Sequence, residues 1–208
     1  MILSLFGGGI VGRVPTLLEM IYDEIRESLC KQVLLIPFAR EVYTKGSEWH
    51  ENWYSEFFSA NKADIKFFDA SNDYDLEKAD CPLIYLSGGK SKQNLLESIN
   101  ASNKLKHLVF SAKHIIAESG GAMVLGEYCR SYGQGSDMAE GLGILKDTIM
   151  EPHYFEQERK SLLLQEITKY KCTYGLGIDS NSGVRINTES GYENLIPLGE
   201  GKYELLQL

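Results

Sequence analysis

The sequence of 208 residues predicts a doubly wound α/β fold, a mostly parallel sheet flanked by helices, on three observations. Short apolar runs alternate with amphipathic segments through the first two thirds of the chain, the pattern of successive strand–helix units. Small-residue turns follow several of those runs, where a parallel sheet makes its strand-to-helix connections. Residues 174–208 break instead into short β-like runs between Gly, Asn and Ser clusters. These are expected to form antiparallel C-terminal hairpins that close the sheet edge.

In chain order, the expected strands are residues 1–6, 33–37, 65–68, 82–87 and 114–118. Leu17, Ile21, Ile25 and Leu29 recur at helical spacing, and Thr16 with Glu19 forms a capping box for that first helix. Trp49, Trp53 and Phe57 repeat every fourth residue and would line one face of a second helix. Leu95, Leu96 and Ile99 mark a third, starting near Ser91, and residues 155–170 read as a further helical segment. The chain shows no internal repeat or linker, so residues 1–208 are expected to form one domain.

Charge narrows the partners. A net charge of −8 without any dense Lys/Arg run disfavours nucleic acid and anionic membranes. The first six residues are apolar but too short, and lack the basic flank, for a secretory signal; no apolar run approaches a membrane span. Cys30, Cys81, Cys129 and Cys172 are scattered without metal-like or redox-like spacing, which suits reduced thiols. A cytoplasmic protein follows as the expectation, with no metal or other cofactor; its oligomeric state is open, a homodimer being one option.

The chemistry concentrates at His114-Ile-Ile-Ala-Glu-Ser119-Gly-Gly-Ala-Met, where a buried strand runs through a small-residue turn into a helical stretch. That is the layout of a nucleophile elbow, which lifts a serine oxygen above the sheet and needs small neighbours. A Ser-Gly-Gly turn that merely caps a helix is the competing explanation. The turn Ser87-Gly88-Gly89-Lys90 would open onto the same cleft, so that N–H groups of Gly88 or Gly89 and of Gly120 could form an oxyanion hole. Of the four histidines, His50, His107 and His114 occupy helix or strand positions. His153 lies in Met150-Glu-Pro-His153-Tyr-Phe, an extended segment stiffened by Pro152, which suits a presented base.

Taken together, Val33-Leu-Leu-Ile-Pro37, Tyr85-Leu-Ser-Gly-Gly89, Glu118-Ser-Gly-Gly-Ala122, Gly141-Leu-Gly-Ile144, Pro152-His153 with Arg159, and Tyr174-Gly-Leu-Gly-Ile-Asp179 resemble the S51 peptidases. That family includes aspartyl dipeptidase (peptidase E) and cyanophycinase. The resemblance implies a class I glutamine amidotransferase-like sheet and a serine peptidase acting on a small peptide, such as a dipeptide with an aspartyl residue. It further implies Ser119 as nucleophile, His153 as base, Asp179 as the acid that orients it, and substrate contacts from Lys90 and Arg159. Relatives often carry the acid one position later, where this chain has Ser180, so Asn181 is the alternative partner of His153. Ala117 replaces the first elbow glycine, Gly120 the usual alanine, and Lys90 a frequent Asn or Asp.

Two other functions compete. Gly7, Gly9 and Gly12 match GxGxxG between a strand and a helix and would suit a dinucleotide, although no acidic residue ends the second strand. The scaffold could also serve as a ligand-binding protein without catalysis.

Overall fold

The structure, a computed structural model, describes residues 1–9, 16–40, 65–132 and 137–208. The Trp49–Trp53–Phe57 stripe, His50 and Gly12 lie outside the described residues.

Five strands with apolar side chains on both faces build the centre. In sheet order, β3 (Lys66–Asp69), β2 (Gln32–Ile36), β4 (Leu83–Leu86), β5 (His114–Glu118) and β1 (Ile2–Phe6) run parallel. Alternate residues of one strand bury on opposite faces. Leu34 and Ile36 pack with Leu3, Leu5, Ile115 and Ala117, whereas Val33 and Leu35 pack with Phe6, Tyr85 and Ile116.

Helices cover both faces. On the second face lies α1 (Leu17–Glu27), opened by the expected Thr16–Glu19 capping box and inserting Met20, Ile21 and Ile25. After α2 (Asp73–Lys78), the first face receives α3 (Lys92–Ala101) and α4 (Asn103–Ser111) through Leu95, Ile99, Leu105 and Val109. No described helix is long and apolar enough to cross a membrane.

The expected C-terminal hairpins form only in part along that sheet. β10 (Ser182–Asn187) adds antiparallel to β1, and β11 (Ile196–Gly199) antiparallel to β10. The remaining strands build a second sheet that the sequence reading did not contain, in the order β12 (Tyr203–Gln207), β9 (Tyr174–Ile178), β8 (Thr148–Pro152), β6 (Tyr128–Arg130) and β7 (Met138–Glu140). Here β8 and β9 are parallel, joined across α6 (Lys160–Tyr170) as one more strand–helix–strand unit. Met150, Leu176 and Ile178 join the main core, while Ile149, Leu163, Ile167 and Cys172 form a smaller core under α6.

α6 is shorter than the helix expected over residues 155–170. His153 and Glu158 have φ of 52° and 50°, and the Arg159 N–H reaches back to the Tyr154 carbonyl at 2.9 Å, so residues 153–159 fold as a turn. That turn and the elbow after β5 are the parts of the fold that matter most for chemistry.

Candidate active site

At the end of β5 the chain turns sharply into α5 (Ser119–Met123), and Ser119 itself takes φ 46°. A non-glycine residue in the left-handed region is strained and persists only where its surroundings fix it. The next residue packs backbone against backbone. A Cβ on Gly120 would overlap the Gly89 carbonyl, which explains why this chain cannot carry the family's usual alanine there without moving the β4 turn. Ala117, by contrast, sits fully buried in the main core.

Glu118 points away from the serine into a buried clamp. Its Oε1 accepts from the Arg40 guanidinium at 3.1 Å, the Tyr85 hydroxyl at 2.7 Å and the Gly88 N–H at 2.9 Å. This corrects the expected oxyanion hole: the Gly88 N–H is already engaged, leaving Gly89 and Gly120 as the candidates. Sequence reading missed the clamp because Arg40, Tyr85 and Glu118 are far apart in the chain. Replacing Glu118 by Ala removes the shared acceptor of three buried donors, and stability measured in urea is expected to fall by about 3–5 kcal/mol. Unchanged stability would contradict that assignment.

His153 is delivered by β8. Its N–H donates to the Gly7 carbonyl at 3.3 Å, and the Cε1–Nε2 edge of its ring lies over Gly8, where an added Cβ would stand 2.8 and 2.9 Å from those atoms. Gly8 has φ 110°, so both space and backbone require glycine. β1 and β5 are adjacent, with Phe6 paired to Glu118, so the Gly7–Gly8 backbone beneath the imidazole continues from the strand beside the one that ends at Ser119. Among the described residues no hydrogen bond yet joins Ser119 to His153; such contacts commonly tighten only around substrate.

The orienting partner differs from the expectation. His153 Nδ1 meets the Ser180 hydroxyl at 2.7 Å, and Ser180 donates to Glu156 Oε2 at 2.5 Å. Asp179 is not at the imidazole, because its Oδ1 accepts the Glu156 N–H at 3.0 Å. The alternative, Asn181, is fully buried at φ 53°, with its N–H on the Gly8 carbonyl and its own carbonyl on the Glu200 N–H. It shapes the connection that carries Ser180. Ser180 is the position where relatives often place a carboxylate, a signal that could have pointed to it from sequence.

Arg159 is likewise placed elsewhere than expected. Its guanidinium is paired with the fully buried Glu151, which also binds Arg130, and Arg130 reaches Glu166 at 2.7 Å. A buried carboxylate needs such cationic partners. The network braces the end of β8 just before His153 and engages the Arg159 guanidinium there. Lys90 stays exposed beside Gly89, and its carbonyl accepts from the buried Lys92 ammonium at 3.0 Å. Burial pushes Lys92 down to about 8. Of the glycine motif, Gly7 is used in seating His153 and donates its N–H to Ser182, which accounts for it without a pyrophosphate.

Comparisons with known proteins bear on the family and the fold. A cyanophycinase from Synechococcus elongatus is 33% identical over 114 residues, 49% of this chain. The match spans 35% of that relative, so this chain covers about a third of its length. The crystal structure of a peptidase from an acI-B1 actinobacterium superposes with a TM-score of 0.66 at 23% identity, covering 99% of this chain and 90% of that one. A Listeria monocytogenes EGD-e protein whose structure is named for peptidase E gives 0.59 at 17% identity, covering 94% and 96%. At those identities the two structures bear on the fold, which is that of the S51 peptidases with their class I glutamine amidotransferase-like sheet. The model of peptidase family S51 matches residues 3–193, and the chain belongs to that family.

Proposed function

We propose that this chain is a serine peptidase that cleaves a small peptide through an acyl-enzyme, with Ser119 as nucleophile and His153 as base. The observation that carries the reading is the pairing of a strained elbow serine with a histidine seated at the neighbouring strand end. Ser119 Oγ attacks the scissile carbonyl carbon as His153 Nε2 takes its proton. The resulting oxyanion is held by the N–H groups of Gly89 and Gly120. Collapse breaks the C–N bond, the proton passes from His153 to the leaving amine, and water then cleaves the ester by the same steps.

Dipeptides with an aspartyl residue are the substrates to try first. The support is electrostatic: Glu118 is covered by Arg40, so no bare carboxylate sits behind the serine, and Lys90 is exposed in the turn beside Gly89. Its four cysteines are free and three of them buried, which suits a cytoplasmic protein. A panel of aspartyl, isoaspartyl and neutral dipeptides, assayed by amine release, tests the reading. Turnover of an aspartyl member is expected; cleavage of neutral members alone would overturn the substrate class.

The missing Ser119–His153 hydrogen bond favours one second reading, a binding protein on the same scaffold. That protein would bind peptides from the panel and release no amine from any.

A further inference from the structure

The triad this chain presents contains no carboxylate on the histidine. We propose that Glu156 supplies the missing charge and acts on His153 through the Ser180 hydroxyl, making Ser180 and Glu156 the positioning residues of the site. The inference rests on the reading of Ser119 and His153 given above.

Proton counting carries it. An ionised carboxylate can only accept, so Ser180 donates its one hydrogen to Glu156. Toward His153 the same oxygen must then accept, which puts the imidazole hydrogen on Nδ1. The lone pair is left on Nε2, on the edge that lies over Gly8. This is the tautomer a general base requires. A serine by itself could not enforce it, since a hydroxyl is free to turn and donate to Nδ1 instead. The charge on Glu156 removes that freedom.

Three features hold the relay. Ser180 is fully buried, so water does not compete for its oxygen. Asp179, the neighbouring residue, fixes the Glu156 backbone at 3.0 Å, which converts the expected acid into an anchor for the actual one. The Gln157 N–H returns to the His153 carbonyl at 3.0 Å and closes the turn. Glu156 also stands 3.7 Å from Nδ1, near enough to stabilise the imidazolium formed during attack.

Other charges around the ring are already engaged. Asp179 lies beside the turn from the β9–β10 connection, Glu118 in the elbow is paired with Arg40, and Arg159 with Glu151. Lys160 is paired with Glu204, Lys202 with Glu200, and the turn after β1 contributes only uncharged Gly7 and Gly8.

The test uses Glu156→Gln, Ser180→Ala, their double variant and Ser180→Asp, each checked for folding by thermal unfolding. A glutamine amide can donate to Ser180 and turn its hydroxyl onto Nδ1, the wrong tautomer. Glu156→Gln is therefore expected to lower kcat by about 100-fold with KM little changed, a smaller loss than the roughly 10⁴-fold seen when a directly bonded acid is removed. The acid limb of its kcat/KM profile moves to lower pH, because loss of the nearby negative charge disfavours the imidazolium. The double variant is expected to be no slower than the slower single one, since both break one chain. Ser180→Asp, which puts a carboxylate directly on Nδ1, is expected to restore turnover to Glu156→Gln. The exposed Glu158→Gln serves as control, with kcat unchanged. If Glu156→Gln keeps kcat within about twofold, or if the losses of the two single variants multiply, the relay is wrong. Should Ser180→Asp fail to fold, the double variant decides alone. Failure of the underlying reading looks different: Ser119→Ala would then retain turnover.

Discussion

Ser119→Ala is expected to lower kcat by about four orders of magnitude or more, the range found when the nucleophile of a serine peptidase is removed. The fold should survive. The Ser119 hydroxyl has no hydrogen-bond partner among the described residues, so its loss strands nothing, and alanine meets the same backbone strain at φ 46° as serine does. Stability within about 0.5 kcal/mol of the parent is therefore expected. The paired control is Cys129→Ala. That thiol is fully buried and burial pushes it up to about 12, so it supplies no thiolate and turnover should persist. Loss of activity in the cysteine variant with retention in Ser119→Ala would move the chemistry to the wrong sheet and end the account.

His153→Ala is the second large effect, with kcat expected to fall about as far, because the base and the nucleophile act as a unit. His107→Ala should leave turnover intact, since His107 is exposed on α4. General-base catalysis requires an unprotonated base, so kcat/KM of the parent is expected to fall toward acid pH.

Acid unfolding has to be separated from that limb, and His114 supplies the reason. It is buried at the start of β5 with Nε2 2.8 Å from Ser4, whose hydroxyl donates to Glu24. Burial pushes it down to about 4, with Glu24 opposing the shift and Arg185 adding to it. The unfolded chain binds this proton near the ordinary histidine value, the folded one only near 4, so stability falls as pH drops through that window. The full difference is on the order of 3 kcal/mol. Unfolding in urea at pH 7 and pH 4.5 measures it, and a His114→Gln variant should show a shallower slope. An equally steep slope in that variant would assign the proton elsewhere.

The central sheet was legible because its strands bury both faces and read as continuous apolar runs, and the α1 capping box because it is local. The second sheet was not. Nothing in Thr148–Pro152 or Tyr174–Ile178 states whether such a strand joins the main sheet or pairs with its neighbour across α6; tertiary packing of Leu163 and Ile167 decides it. In the site, Ser119 and His153 stood out through turn chemistry and a proline-stiffened segment. Gly88, Asp179 and Arg159 were misplaced for one physical reason. Each is bonded to a residue distant in sequence or around a turn, Glu118, Glu156 and Glu151 respectively, and buried polar groups take the partner the fold brings to them. Ser180 was noted only as a missing acid, and Glu156 escaped notice, because a serine in place of an acid reads as a loss until the carboxylate behind it is seen.

Reaction with a fluorophosphonate, followed by intact-mass and peptide-mapping mass spectrometry, tests the central claim most directly, because only an activated serine reacts readily. One adduct on Ser119 is expected in the parent, with labelling strongly slowed in folded His153→Ala. A folded parent that takes no label, or takes it on Ser180 rather than Ser119, would contradict the account.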